Sequence, residues 1–285
     1  MKSNEIYSRQ NQDKFLKIQY AARVNYNSAE NFNKYAWLLC LISAFSIFLP
    51  RTWHEYILNG IPFAADLVAM VCSLIASDKV KWGATFRKYF DAYVLDISTD
   101  QFSETDVREI LEKSEKIFLK SPEIGRIQIS NTGHDSPPGV KDWYEFSELL
   151  DGIEAQFECQ RQNIWWNKKM SKLRIFATVC LGVTVVSTFM LLIYATSNSM
   201  LSILLCCGGI IGKIIERLIE NIQYFHVSEL IIGSQRTVEV HPTKESIEQL
   251  QCFIDERRAI NVLESNYFHQ KIAAKLSDIY KRIAS

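Results

Sequence analysis

The sequence predicts a mainly α-helical, polytopic membrane protein with four transmembrane helices in two hairpins and a mostly helical cytosolic part. Three observations support this class. No Asp, Glu, Lys or Arg occurs among the 38 residues between Arg174 and Lys213. A second pair of apolar stretches precedes that run, at 35–49 and 57–77, and the charges cluster outside both pairs. The core of a soluble protein does not explain so long a run without charge, whereas a membrane does.

The second hairpin is predicted at 174–219. A helix crosses about 30 Å of hydrocarbon with roughly 20 apolar residues, and residues 175–194 meet that length. A polar cluster at 196–199 indicates a turn, and residues 200–212 begin another apolar stretch. Apolar residues beyond Lys213 extend it, if the lysine side chain snorkels to the interface.

The first hairpin is predicted at 35–77. Its first span is short, so we expect a tilted helix or a start near Phe32. Its second span is interrupted only by Asp66, four residues after Pro62, which is predicted to lie in a turn or at a helix start. A carboxylate inside a span is a functional candidate by default, but here a solvated or paired acid near the helix end is the favoured interpretation.

Gly208 and Gly212 form a small-xxx-small pattern in the fourth span, which lets two helices approach closely. Packing within the hairpin and packing between subunits are equally compatible with the pattern. The sequence therefore marks Gly208 and Gly212, together with Asp66, as candidate membrane-packing residues.

The orientation follows from the positions of Lys and Arg. The N-terminal arm carries six, the central segment together with Arg174 fifteen, and the chain from Lys213 to its end ten, whereas the two hairpin loops carry only Arg51. Because positive charge favours the cytoplasmic side, both termini and the central segment are predicted to face the cytoplasm. The predicted organisation is a cytosolic N-terminal helix at 1–34, a transmembrane hairpin at 35–77, a central cytosolic domain at 78–173, a second transmembrane hairpin at 174–219 and a helical cytosolic tail at 220–285.

The central segment has several local signals. Ser103 and Asp106 predict a capped helix start. Ile127 and Ile129 alternate with polar neighbours, a weak strand signal. Two prolines and two glycines make 133–139 a loop.

Further helices are predicted outside the spans. The N-terminal arm has a helical stripe that runs into the first span. A long helix is predicted from about Tyr144 through Trp166 into the third span. Two further stripes, at 247–254 and 272–279, predict two helices in the tail.

Composition and motifs argue against several functions. The 32 basic and 32 acidic residues cancel, whereas a protein that binds nucleic-acid polymers needs a basic excess. The chain has no phosphate-binding loop, zinc-ligand spacing or nucleophile elbow. His134 and Asp135 are adjacent, but the other histidines are scattered. We therefore predict no enzyme activity, no metal and no cofactor.

Unusual residues are densest at 159–169. Tryptophans and lysines beside a span are typical of the interfacial belt, so membrane anchoring or helix packing explains many of them. On a helix, however, Arg161 and Trp165 share a side with the following lysines, and an aromatic surface beside cations suits a nucleotide. The ligand-binding candidates are Arg161, Trp165, Trp166, Lys168 and Lys169, with Trp143 and Tyr144 before the helix.

At this cluster the sequence resembles the SMODS-associated four-transmembrane effectors, a family of pore-forming candidates. Cys159–Asn163 followed by Trp165-Trp166 matches their signature, and Arg9–Asn11, Phe90–Val94 and Trp143-Tyr144 agree as well. The resemblance covers the N terminus through the third span. No motif beyond about residue 220 matches.

The resemblance implies bacterial antiphage defence of the CBASS type. A partner nucleotidyltransferase would make a cyclic oligonucleotide, the activating ligand. This protein would then oligomerise in the lipid bilayer of the inner membrane and permeabilise it, which ends the infected cell. The alternative is a membrane-anchored sensor or scaffold that recruits a partner without a pore, for which we expect spans without a polar stripe.

Overall fold

The computed structural model describes residues 2–48, 55–145, 149–165, 167–195 and 200–262, and within these ranges the chain is helical without β-strands. The helices are α1 Ser3–Gln10, α2 Asp13–Phe45, α3 Glu55–Leu95, α4 Glu104–Lys120, α5 Pro122–Ser130, α6 Gly152–Trp165, α7 Asn167–Ala195, α8 Met200–Val240 and α9 Lys244–Ala259. The mainly α class is thus confirmed.

Three long helices organise the molecule. Helix α2 has 33 residues, and α3 and α8 have 41 each, about 60 Å of helix. Each joins an apolar part to an amphipathic part, because its hydrophobic pattern continues past the apolar run. Helix α2 packs along α3, and α7 packs along α8.

The apolar parts of these helices form what we call the membrane half, residues 32–48, 60–77, 175–195 and 200–219. Its small inner core includes Ala36, Ala69, Cys207 and Ile210. Its surface carries large exposed apolar side chains, as expected where lipid replaces water; they include Leu38, Phe45, Phe63, Leu74, Phe176, Val183, Met190 and Leu204.

By length and composition, Gly60–Leu95 is the one helix in the described ranges that is long and apolar enough to cross a membrane, and Ile175–Thr188 is a shorter apolar stretch. The four-span count stays a prediction.

Most of the remaining described residues form what we call the polar body, residues 2–30, 78–145, 149–165 and 220–262. Helices α1, α2, α3, α6, α8 and α9 all contribute to one apolar core there. Phe15 of α2 lies against Phe90 of α3, with ring centroids 6.1 Å apart, and Leu250 of α9 is fully buried. The tail up to Ala259 is therefore an integral part of the body.

Some local predictions are confirmed. Ser103 Oγ accepts from the Asp106 amide at 3.2 Å, and Asp106 Oδ2 accepts from the Ser103 amide at 2.9 Å, a complete capping box. Residues 133–139 form an irregular loop. The N-terminal arm does run into the first apolar stretch, but as two helices, α1 and α2.

Other local predictions are wrong. Ile127 and Ile129 lie in α5, not in a strand; Pro122 starts this helix, and Gly125 packs on the Phe118 ring. The helix expected from Tyr144 begins at Gly152, whose φ of +57° favours glycine.

The expectations for two membrane residues also change. Pro62 lies inside α3, which begins at Glu55, so Asp66 is about three turns into the helix. Lys213 does not snorkel, because its side chain is only 6% exposed. The turn predicted at 196–199 and the tail helix predicted at 272–279 lie outside the described residues.

Candidate functional site

The candidate site is a buried polar network in the polar body, centred on Asp91 of α3. The Asp91 side chain is completely buried. Its Oδ1 accepts a hydrogen bond from the Tyr144 hydroxyl at 2.5 Å. Its Oδ2 accepts from Arg258 Nη1 at 2.5 Å and from Gln251 Nε2 at 3.1 Å. The network thus joins α3, α9 and the segment before α6.

The charges in the network depend on one another. Burial would lower the pKa of Arg258, but the negative charges around it, Asp91 foremost, raise it, so the guanidinium stays charged. Burial, and then Asp91, raises the pKa of Tyr144 well above its usual value, and its hydroxyl remains a donor. Burial raises the pKa of Asp255 to about 6, although Arg258 acts in the opposite direction.

Three consecutive residues, Arg9–Asn11, connect the segment that carries Tyr144 to the end of α3. Gln10 bonds the Tyr144 backbone twice, with Oε1 2.9 Å from the amide nitrogen and Nε2 3.2 Å from the carbonyl oxygen. Asn11 Nδ2 donates to Asp142 Oδ1 at 2.7 Å. Arg9 Nη1 donates to the carbonyl of Tyr93, near the end of α3, at 3.2 Å. These bonds fix Tyr144 relative to Asp91.

Trp143 and Arg87 form the next layer. The Arg87 guanidinium lies 3.8 Å from the centroid of the Trp143 ring, a cation–π contact. Burial, and then the charge of Arg258, lowers the pKa of Arg87 to about 10. The ring face is therefore already covered by a cation of the same molecule.

Helix α6 reaches the network through Cys159 and Gln160, both fully buried. Gln160 Nε2 donates to Gln251 Oε1 at 3.0 Å and to the Ile247 carbonyl at 3.3 Å, which ties α6 to α9. Burial raises the pKa of the Cys159 thiol, so it stays protonated as part of the core.

The predicted ligand residues are distributed over different environments. Tyr144 and Trp143 belong to the network and its neighbouring layer. Arg161 is partly exposed and pairs with Glu158 of its own helix, with a shortest distance of 2.8 Å. Trp165 lies in α6, and Lys168 and Lys169 lie in α7, but the side chains of all three are outside the described structure. Trp166 is outside the described residues altogether.

An open cleft of about 510 Å³ lies beside the network, between α3 and α9. Gln251 and Asp255 line the cleft and also bond within the network. Lys81 and Lys88 face them from α3. A molecule in this cleft would contact residues that hold Asp91 and Arg258 together.

Sequence reasoning missed part of this site. In the sequence Asp91 stands out only as part of the Phe90–Val94 motif, although an acid in the aromatic stretch 86–93 is a signal of a buried partner. Gln251, Asp255 and Arg258 carry no motif, and only the fold brings them to Asp91. In the described ranges, no group of three His, Cys, Asp or Glu side chains is placed to hold a metal ion.

The molecule is a helical protein whose long apolar helices continue into a body built around a buried charge network. Comparison then supplies the family. The SMODS-associating 4TM effector domain matches residues 4–232, so the chain belongs to this family of membrane effectors associated with SMODS systems. No curated protein and no solved structure matches. Helix α9 lies beyond the matched range.

Proposed function

We propose that this protein is a CBASS-like antiphage effector that permeabilises the bacterial inner membrane when a partner nucleotidyltransferase makes a cyclic oligonucleotide. One observation carries the proposal: the motifs that match the family converge on the Asp91 network, at the body end of helices that continue into the membrane half. Arg9–Asn11, Asp91, Tyr144 and Cys159-Gln160 all contribute to it.

The continuity of the helices supplies a mechanism. Helix α3 runs from Glu55 to Leu95 and contains both Asp66 and Asp91. Because a helix is stiff, a shift of α3 within the network displaces its membrane part as well. A signal that binds the shifted state more tightly than the resting state would therefore drive the change.

The proposed ligand face starts at Arg161 of α6, with Trp165 and Trp166 for stacking and Lys168 and Lys169 of α7 for phosphate. Arg161 lies directly after Gln160, which bonds α9. A ligand that draws Arg161 away from Glu158 would therefore act on the residue next to the network.

A pore requires several copies, because four spans enclose too little space. Gly208 and Gly212 are suited to contacts between subunits, since a Cβ built on either would meet no atom within 4 Å. Their face is therefore open for a second copy to approach closely. Both termini would face the cytoplasm, where the nucleotidyltransferase acts.

The test is membrane potential and dye entry in bacteria that express this protein with its partner nucleotidyltransferase, before and after phage challenge. Depolarisation that needs both proteins supports the proposal. A polarised, dye-tight membrane in protected cells rejects it and favours the anchored scaffold.

The ligand face is tested separately. Arg161→Ala, and a double Trp165→Ala/Trp166→Ala variant, should abolish toxicity while the protein still inserts. Lys116→Ala is the matched control, because Lys116 is an exposed lysine paired with Glu112 on α4. Full toxicity of the Arg161 variant at equal membrane levels would contradict the assigned face.

A further inference from the structure

Polar side chains form a stripe where the first hairpin packs against α8 in the membrane half. We call it the interhairpin stripe; its members are Ser43 on α2 and Ser46 directly after this helix, Asp66 and Ser73 on α3, and Cys206, Gly209 and Lys213 on α8.

The first level of the stripe joins α2 to α8. Ser43 Oγ donates to the carbonyl oxygen of Cys206 at 3.1 Å. Ser46 Oγ lies 3.3 Å from the sulfur of the same cysteine. Both serines are buried, so these contacts are inside the protein.

The second and third levels join α3 to α8 and carry charge. The Asp66 carboxylate lies directly against Gly209, where a Cβ would overlap it. Lys213 Nζ lies 2.8 Å from Ser73 Oγ and 3.0 Å from Glu216 Oε2. The Lys213 side chain is 6% exposed.

The spacing shows that the stripe is continuous. Cys206, Gly209 and Lys213 follow i, i+3, i+7 spacing, which places them on one face of α8 over about 10 Å. Asp66 and Ser73 are two turns apart on α3. By contrast, Leu204 and Ile215 of α8 are exposed and apolar, as a lipid-facing surface requires.

Packing alone does not account for this stripe. A charged side chain within a membrane is costly, and apolar residues of similar size would fill the same space without that cost. The stripe also lies between the two hairpins, so separation of the hairpins would expose the polar groups on both of them to water.

We infer that the interhairpin stripe lines the ion path of the activated protein, with Lys213 and Asp66 setting its charge selectivity. This inference rests on the proposed function, because it requires an open state. In the resting state the path is closed by direct contact between Ser73 and Lys213 and between Asp66 and Gly209. When the hairpins part, Lys213 attracts anions and Asp66 attracts cations at their respective levels.

The experiment is a reversal-potential measurement on inner-membrane patches under a KCl gradient, from bacteria that express the full chain with its nucleotidyltransferase. Lys213→Met should lower the chloride-to-potassium permeability ratio by about fivefold, the order expected for loss of one unit charge beside the path. Asp66→Asn should raise the ratio. Opposite shifts are not expected from a merely structural role.

Two further variants keep the test decisive. Lys213→Gln keeps a hydrogen-bonding group near Ser73 and should shift the ratio in the same direction if the methionine variant does not insert. Lys116→Met, in the polar body, should leave the ratio unchanged. Conducting Lys213 and Asp66 variants with the original ratio overturn this inference alone, whereas a wild-type protein without conductance overturns the proposed function as well.

Discussion

The polar body and the membrane half bury charge in different ways. In the body, Asp91 is completely buried and receives hydrogen bonds from three side chains on two other parts of the chain. In the membrane half, Lys213 has two partners, and one of them, Glu216, is on its own helix. Among the described residues, the Ser73 contact is therefore the one that crosses between the hairpins at this level. The body is therefore locked by a charge network that several parts of the chain share, whereas the described hairpins meet through single polar contacts that can part.

The largest effect on stability is expected at the Asp91 network. Arg258→Met leaves the Asp91 carboxylate buried without its cation, and removal of one partner of such a pair costs about 3–5 kcal/mol. We expect a loss of that size in the free energy of unfolding, measured by urea denaturation of the detergent-solubilised protein.

Asp91→Asn combined with Arg258→Met removes both charges and should restore most of the lost stability. Lys116→Met is the control, because an exposed pair contributes at most about 1 kcal/mol. An Arg258→Met protein as stable as the wild type would contradict the locked body.

A pH dependence tests the same network. The folded pKa of Asp255 is about 6, whereas an unfolded Asp titrates near 3.9, so the folded state binds this proton more tightly. The contribution to stability is therefore greatest below about pH 4 and is lost as the pH rises to about 6, by up to about 3 kcal/mol.

Urea midpoints across this interval measure the effect, and Asp255→Asn should remove this part of the slope. Other carboxylates titrate in the same range, so the decisive quantity is the wild-type curve minus the variant curve. A difference that does not change with pH would contradict the shifted pKa.

Two glycines of α8 allow a test of how closely the membrane half is packed. Gly209→Val drives a side chain into Asp66 and should destabilise the protein by about 1–3 kcal/mol, as overpacking does. Gly208→Val meets open space and should leave the monomer intact. Melting temperatures in detergent compare the two.

Cross-linking in membranes then tests the role proposed for the open face. If Gly208 packs between subunits, Gly208→Val lowers the amount of cross-linked oligomer without a change in melting temperature. Equal melting temperatures for all three proteins would mean that Gly209 is not closely packed.

The smallest effect is expected at a neutral hydrogen bond between α7 and α8, where the membrane half meets the polar body. Asn221 Nδ2 donates to Thr178 Oγ1 at 3.0 Å. Hydrogen bonds between membrane helices contribute about 0.6 kcal/mol on average. A double-mutant cycle with Asn221→Ala and Thr178→Val should give a coupling energy of this order, and a value as large as that of the Asp91 network would remove the contrast drawn above.

The sequence predicted what depends on local patterns. The capping box at Ser103 needs only residues three apart, and the apolar stretches need only composition. The prediction of a strand at 127–129 was wrong because a short alternating run is also compatible with a helix. Here Pro122 starts the helix, and Gly125 packs on Phe118.

Contacts between residues far apart in the chain could not be predicted from the sequence. Arg258 lies 167 residues from Asp91, and no pattern announces their contact. Lys213 was expected to reach the interface, because a long cationic side chain beside polar residues normally does so. Its partner Ser73, 140 residues away, keeps it inside. The chemistry of both sites therefore depends on tertiary packing, and only the types of residue were readable.

The length of α3 makes it a lever. Residue 77, at the edge of the membrane half, lies between Asp66 and Asp91. A rotation of about 5° about that level moves Asp91, about 21 Å away, and residue 60 at the membrane end, about 26 Å away, in opposite directions by roughly 2 Å. That displacement is most of the length of a hydrogen bond. Unlocking at one end and opening at the other would then be a single motion.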